Sequence, residues 1–548
     1  MSINLGSVSF DENILFRQLR FDLKDDWFPD PIAFRDTFRD SEEQGLLAGQ
    51  IVQNFVRNHG QYTASRRHIL NIPKPNFTLR YGLEVSIADR AVYHGLCSFL
   101  SRHYDGLIPW YIFSHRRDAH RDDDRYMFRR GTIAWRDFIG AVDRSVADDK
   151  ILLTTDLTNY FENIDLRKLR TVMQNRLADI SASADIKNSI RAYISTLYEC
   201  LEEWSYEAGR GLPQNRDASS FLANLYMLSI DERMRGLGYT YFRYMDDIKV
   251  VCDTRYQARR ALKELSIALR DLGLAVNSKK TKIIDGSDRA AVAEALDGGS
   301  PEVEHLDSIW ATRRRESISR SFPMLRQFTQ MLLDEGRVDS REFRYCINRL
   351  IVLASCVEFS VPPAYFAAIT DRIVELIAEH PAACDQFCRY LRVVPLSGSN
   401  IDAIAAHLRD SSRNFYTWQS YRIWMLLGQR EVRRPELIAE ALTIISAGDD
   451  NAARAGASIY LGAMGGTAER VAVAESFSTL SSFLGQRCAL VAVQELPFTP
   501  HIRDNVASHV RDDLRGVYRN LRTTAPEYFS PIEEISITNY IDAERDYA

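Results

Sequence analysis

The sequence predicts a mixed α/β amino-terminal half followed by an all-α carboxy-terminal half, and three observations predict it. Up to about residue 290, short β-rich runs alternate with helical stretches; Phe242-Arg243-Tyr244 and Ile248-Lys249-Val250-Val251-Cys252 read as a hairpin, and Ile151-Leu152-Leu153 as a neighbouring strand. At Asp297-Gly298-Gly299-Ser300-Pro301 the chain is punctuated, and strand-like runs then become scarce. From about residue 316 the periodicity is helical, as in Phe366, Ile369, Ile373, Leu376 and Ile377, or in Phe415, Trp418, Ile423 and Leu426.

The elements follow in order. Residues 1–45, with Asp25-Asp26-Trp27-Phe28-Pro29-Asp30-Pro31, read as an ordered N-terminal extension, residues 46–295 as the α/β part, and residues 296–548 as the helical part. Asp118 to Arg130, rich in Asp and Arg, reads as an exposed loop. In the last part, breaks at Pro362-Pro363, His380-Pro381, Arg434-Pro435, Gly465-Gly466 and Pro497 to Pro500 separate helix pairs. This spacing predicts an irregular, HEAT-like helical-repeat array without a fixed-period signature.

Composition sets limits. With 548 residues and 45% hydrophobic content, the chain can bury two to four domains' worth of core. The net charge of −5 leaves no global basic footprint, so a groove for a polyanion must be local; Arg129-Arg130 and Arg313-Arg314-Arg315 are candidates. Eight cysteines lack metal-type spacing, and Cys384 and Cys388 share one helical face, which predicts buried thiols. The absence of a signal-like start, a long apolar span or a disulfide framework predicts a soluble, cytoplasmic protein that does not engage a membrane.

The chemistry gathers at Tyr244-Met245-Asp246-Asp247, where the hairpin turn carries two carboxylates, and at Asp156, which follows the neighbouring strand. Nucleotidyl transfer uses two divalent ions about 3.5–4 Å apart, and carboxylates from adjacent strands can bridge such a pair. Hard oxygen ligands suit Mg²⁺, with Mn²⁺ as a substitute. Asp156, Asp246 and Asp247 are therefore the expected metal ligands and catalytic residues.

The order of four segments strengthens this reading. Asp156-Leu157-Thr158-Asn159-Tyr160-Phe161, Gly211-Leu212-Pro213-Gln214-Asn215, Tyr244-Met245-Asp246-Asp247, and Leu272-Gly273-Leu274-Ala275-Val276-Asn277 leading to Lys280-Thr281-Lys282 resemble motifs A to D of reverse transcriptases in sequence and spacing. The resemblance implies a fingers and palm polymerase fold and dNTP substrates. It implies that Phe161 lies under the sugar and excludes a 2′-hydroxyl, with Tyr160 beside it as substrate contact or core aromatic. Gln214 and Tyr244 would line the substrate site. Lys280 would protonate the leaving pyrophosphate, with Lys279 and Lys282 as alternatives. Upstream, Leu79-Arg80-Tyr81-Gly82 and Ile87-Ala88-Asp89-Arg90 resemble the fingers segment; Arg80 is the triphosphate candidate, with Arg116 and Arg117 as alternatives, and Arg90 is expected to pair with Asp89 or Glu84. One departure stands out: most templated members place Gly after the Gln, and this chain has Asn215.

A palm followed by some 230 helical residues resembles the abortive-infection and defence-associated reverse transcriptases of bacteria. That resemblance implies antiphage defence, synthesis without a copied template, priming from a protein hydroxyl, a single-stranded DNA product attached to the protein, and a homo-oligomer. Among the 25 tyrosines, Tyr528, Tyr540 and Tyr547 lie near the charged C-terminus and are priming candidates. Two alternatives stay open: an RNA-templated enzyme with a dedicated noncoding RNA, and an inactive scaffold that binds partners through its helices.

Overall fold

The computed structural model describes residues 2–541 apart from 24–27, 39–40, 119–125, 297–299, 498 and 524. Asp25-Asp26-Trp27, most of the Asp118 to Arg130 loop, the Asp297-Gly298-Gly299 break and Tyr547 thus lie outside the described residues.

The chain opens with an antiparallel hairpin of β1 (Ser2–Leu5) and β2 (Val8–Asp11). Asp11 caps the following helix Glu12–Asp22 by accepting from the Ile14 amide. The helix Ser41–Arg57 runs straight across residue 45, so the expected boundary there falls within an element. A second hairpin pairs β3 (His68–Pro73) with β4 (Leu79–Glu84), and Ser86 then caps the buried helix Ile87–Tyr104.

The central sheet is antiparallel, in the order β6-β7-β5-β8, from β5 (Ile151–Thr155), β6 (Thr240–Tyr244), β7 (Asp247–Cys252) and β8 (Lys282–Asp285). All five residues of β5 are buried, the apolar Ile151-Leu152-Leu153 and then Thr154 and Thr155, as its place between β7 and β8 requires. The helices Asp217–Gly236 and Arg255–Leu272 cover the sheet. They bury Phe221, Leu225 and Leu228 from one helix and Ala261, Leu265 and Leu269 from the other.

After β8 the described elements are all helical. The helices Arg341–Ser355, Cys384–Val393, Thr417–Gln429, Ala452–Met464 and Phe483–Ala492 pack side by side in one row. Alternate helices, among them Phe322–Asp334, Pro363–Leu376 and Gly398–Arg409, lie outside it. Close approach within the row depends on Gly462, where a Cβ would stand 2.4 Å from the Ala492 Cα. Phe366, Ile369, Ile373, Leu376, Trp418, Ile423 and Leu426 are buried, as their periodicity predicts, and so are Cys384 and Cys388. Phe415 differs: it precedes the helix Thr417–Gln429, outside its 3.6-residue repeat, and is 65% exposed. No described helix is long and apolar enough to cross a membrane.

Two buried polar contacts join the halves. Arg487, on the helix Phe483–Ala492, forks onto Asp30 at 2.7 Å and Asp36 at 2.5 Å. The first two amides of the same helix, Phe483 and Leu484, donate to the Glu84 carboxylate at the end of β4. Burial pushes the Glu84 carboxyl up to about 7, against the pull of Arg511 and the two amides. Because the folded value exceeds the ordinary 4.5, the Glu84 contribution is full below about 4.5 and is lost as pH rises through about 7. Glu84→Gln keeps an acceptor and removes the titration. The melting temperature of the native protein relative to Glu84→Gln should therefore fall between pH 5 and pH 8, and a constant difference in thermal scans would contradict this account.

Candidate active site

The geometry of the carboxylates starts from the β6–β7 turn. Tyr244 pairs with Asp247, leaving Met245 and Asp246 as the two turn residues, and Met245 adopts φ +55°, a left-handed conformation disfavoured for a side chain of this size. A buried network holds it there. Arg243 donates to the Met245 carbonyl at 2.9 Å, to Asn224 Oδ1 at 2.9 Å, and to both oxygens of Asp231 at 2.9 and 2.6 Å. The Met245 amide donates to Ser114 Oγ, whose own carbonyl accepts from Asn224. Arg243 and Asp231 are both fully buried.

Asp156 is placed by its strand and by a second clamp. Thr155, the last residue of β5, pairs with Ile248 of β7, so Asp156 and the turn carboxylates emerge from adjacent strands. The Asp156 carbonyl accepts from the Asn277 amide at 2.7 Å, and the Thr158 amide donates to Ala275 O at 2.9 Å. This brings the Asn277–Lys280 turn alongside, and Lys280 Nζ donates to Asp156 Oδ2. The main-chain clamp thus brings Lys280 to Asp156, while Lys282 pairs with Glu294.

The site is electrostatically tense. Burial, then the charges of Asp156 and Asp247, push the Asp246 carboxyl well above the ordinary range. Burial also raises Asp247, offset by Lys249, Lys280 and Arg341. Asp156 Oδ1 is buried with no hydrogen-bond partner. Among the described residues, no three His, Cys, Asp or Glu side chains stand at metal-ligand spacing, and the Lys280 ammonium occupies one oxygen of Asp156. An all-carboxylate donor set with an orphaned buried oxygen nonetheless fits a hard divalent cation such as Mg²⁺, because a cation relieves the mutual repulsion.

Around the carboxylates, the structure gathers some of the expected residues and corrects others. Arg80, on β4, is half-buried; burial lowers its pKa while the charges of Glu162 and Asp246 raise it, which places the guanidinium in their field. Gln214 donates to Glu162 Oε1 at 3.0 Å. Its loop is pinned by Gly211, at φ +92°, whose amide donates to Ile164 O, and by Leu212, whose amide donates to Phe161 O. Phe161 is half-buried with its ring 5.4 Å from Tyr160. Tyr160 is a correction: it is 3% exposed and its hydroxyl donates to Ala223 O, so it packs the core and presents nothing to a substrate. Tyr244 is another: its hydroxyl donates to Gly131 O and its ring stands edge-on to Trp135, directed toward the helix Gly131–Ser145. Asn215 has φ +56°, which Asn tolerates better than other residues bearing a side chain.

The arginine alternatives resolve into structural roles. Arg90, expected to pair with Asp89 or Glu84, pairs with Asp22 at 2.9 Å in the core. Arg116 binds Asp105 and the carbonyls of Pro109 and Ile112, and Arg117 donates to Ser101. Tyr528 donates to Glu495, and Tyr540 meets Trp310 edge-on.

Sequence reasoning misses four contributors. Lys74 shares the field of Glu162, Arg80 and Lys280. Glu162 adjoins Phe161 inside the first motif, the one signal that could have found it. Arg341, at the start of the helix Arg341–Ser355, lies 4.4 Å over the Trp135 ring and acts on Asp247 and Tyr244, although nothing in its local sequence distinguishes it. The Arg243–Asp231 pair is the fourth.

Two substitutions separate support from chemistry. Asp231→Asn leaves the Arg243 charge buried without compensation and should cost about 3–5 kcal/mol. Asp246→Asn removes like-charge repulsion and should leave the melting temperature in EDTA unchanged or higher. Differential scanning of both variants checks this, and a destabilised Asp246→Asn would contradict the repulsion argument.

The family model described as reverse transcriptase (RNA-dependent DNA polymerase) matches residues 90–315. Compared with curated proteins, the chain has no match. Among solved structures, telomerase from Candida albicans in complex with a fragment of telomeric RNA aligns at 10% identity over 70% of this chain and 64% of that one, with a TM-score of 0.29. Apo telomerase from Candida tropicalis aligns at 9% identity over 89% and 75%, with a TM-score of 0.31. The chain thus spans less than two thirds of the first of these structures. The match to the reverse transcriptase domain thus takes in Asp156, Asp246, Asp247 and Lys280.

Proposed function

We propose that this chain is a DNA polymerase that joins dNTPs without copying a template, primes from a tyrosine hydroxyl of its own, and serves in antiphage defence. The observation that carries the polymerase reading is the cluster of Asp156, Asp246 and Asp247 on adjacent strands within the family match. In this reading the three carboxylates hold two Mg²⁺ ions, which would activate the attacking hydroxyl and stabilise charge on the triphosphate and leaving pyrophosphate. The chain's own groups do the rest. Arg80 and Lys74 bind phosphate oxygens, Phe161 excludes a 2′-hydroxyl, and Lys280 donates a proton to the departing pyrophosphate oxygen. The new bond joins the hydroxyl oxygen to the α-phosphorus as the bond to pyrophosphate breaks.

Asn215 supports synthesis without a template. Its left-handed backbone is one that glycine would adopt freely, so the loop keeps its course while a side chain is added where most templated members have none. The rest of the proposal draws on the defence-group resemblance: residues 296–548 as a HEAT-like helical-repeat domain, residues 46–295 as fingers and palm, residues 1–45 as an extension, a homo-oligomer, and a product strand attached to protein.

Labelled dNTPs and Mg²⁺ with the purified chain, without added nucleic acid, should give label that runs with protein, is nuclease-sensitive, and is lost in Asp246→Ala/Asp247→Ala. Label appearing only with added RNA and primer would replace this reading with a templated one. Lys280→Ala should slow incorporation by about 10²–10⁴-fold. Phe161→Ala should admit rNTPs in a competition assay, and unchanged selectivity would remove it as the sugar gate.

A further inference from the structure

The tip of the β3–β4 hairpin is built in an unusual way. Between the strands the backbone turns through Pro75–Phe77, with Asn76 at φ +61° and Phe77 at φ +58°. Left-handed backbone costs a residue with a side chain roughly 1–2 kcal/mol. Burial does not offset this, because the Phe77 ring is 64% exposed. Facing it is the segment before the helix Thr417–Gln429, where Phe415 is 65% exposed and its ring lies 4.6 Å from that of Tyr416. The Tyr416 hydroxyl donates to Phe77 O at 3.3 Å and ties the two segments together. Phe77, Phe415 and Tyr416 line an open cavity of about 570 Å³, with Glu379, His380 and Arg413 on its wall. That volume falls within the roughly 300–1,000 Å³ usual for ligand sites.

Two largely exposed rings, Phe77 and Phe415, with the half-buried Tyr416 and a guanidinium on the same wall form a surface that unstacked bases fit, since every base has a π-face and stacking on an aromatic contributes about 1–3 kcal/mol. Position supplies the second argument. The hairpin that displays Phe77 also carries Lys74 and Arg80, whose charges fall on Glu162, and Arg80 reaches the field of Asp246. Three residues separate Phe77 from Arg80, a reach of at most about 11 Å.

We propose that Phe77, Phe415 and Tyr416 form a stacking platform that holds a single-stranded DNA segment as it leaves the carboxylate site, with Arg413 and His380 toward its backbone. The proposal rests on the polymerase reading for the origin of the strand, and not for its chemistry.

The test uses the full chain and a labelled oligo-dT of about 16 nucleotides, followed by fluorescence anisotropy in EDTA. The double variant Phe77→Ala/Phe415→Ala should bind at least about tenfold more weakly, consistent with losing one or two stacked bases. Phe415→Trp should bind at least as tightly as the native chain. Both rings are largely exposed, and an unchanged melting temperature certifies the fold. Equal affinity of native chain and double variant overturns the platform, as does absence of single-stranded DNA binding by the native chain, or tighter binding of an RNA of equal length. Incorporation of labelled dNTPs by the native chain and Asp246→Asn is measured in the same preparations. Incorporation with unaltered oligonucleotide affinity in the double variant overturns the platform and leaves the polymerase reading. Absence of incorporation by the native chain overturns that reading, while the anisotropy still decides the platform.

Discussion

The site depends on one buried ion pair, Arg243 with Asp231. The turn that carries Asp246 contains a left-handed methionine, which an isolated hairpin would avoid in favour of Gly, Asn or Asp. Arg243 holds it by donating to the Met245 carbonyl from the same guanidinium that forks onto Asp231. Asp231 is fixed in turn by its place in the helix Asp217–Gly236 and by the Tyr241 hydroxyl. Such a pair adds little net stability, because desolvating two charges cancels most of their attraction. What it contributes is geometry: the guanidinium is planar and rigid, so the helix, β6 and the turn must meet at one angle.

Around that fixed turn, positive charge arrives from distant parts of the chain. Lys74 and Arg80 come from the second hairpin, Lys280 from the turn before β8, and Arg341 from the helical half. They act on Asp156, Asp246, Asp247 and Glu162, so a chain of net charge −5 concentrates cations around these carboxylates. Lys249, buried in β7, also faces Asp247, at 3.7 Å, and donates to Thr154. It therefore acts as a fixed part of the sheet, with its ammonium held under the site.

The sequence made the sheet and its carboxylates legible because both are local signals. The β-rich runs of β6 and β7, the two-residue turn and the apolar start of β5 each lie within a few residues. Lys280 is legible as a motif position, but which of three lysines meets Asp156 is not, since the Asn277–Asp156 main-chain bond that brings Lys280 there is a tertiary contact. The same holds for Tyr160 and Phe161: a short helical turn at Phe161–Asn163 sends one ring inward and leaves the other half-exposed, a distinction that spacing does not encode. Arg90 with Asp22, and Arg487 with Asp30 and Asp36, join residues up to 457 positions apart, beyond the reach of any periodicity argument. Phe415 looked like part of an apolar helical face because its spacing to Trp418 is three; the helix starts only at Thr417.

These contacts bear on what the helical half does for the site. The second hairpin is held at its base, where Glu84 accepts from two amides of the helix Phe483–Ala492, and at its tip, where Phe77 O accepts from Tyr416. Arg80 lies between these two anchors, four residues from one and three from the other. A strand pinned at both ends by the same helical array cannot swing without distorting that array, so the position of Arg80 relative to Asp246 is set from residues beyond 400. Arg341 makes the same point from the opposite side, through Trp135. The helical half therefore borders the carboxylates through Arg341 and fixes the hairpin that carries Arg80, so substitutions at Tyr416 or Glu84 shift the Arg80 guanidinium relative to Asp246.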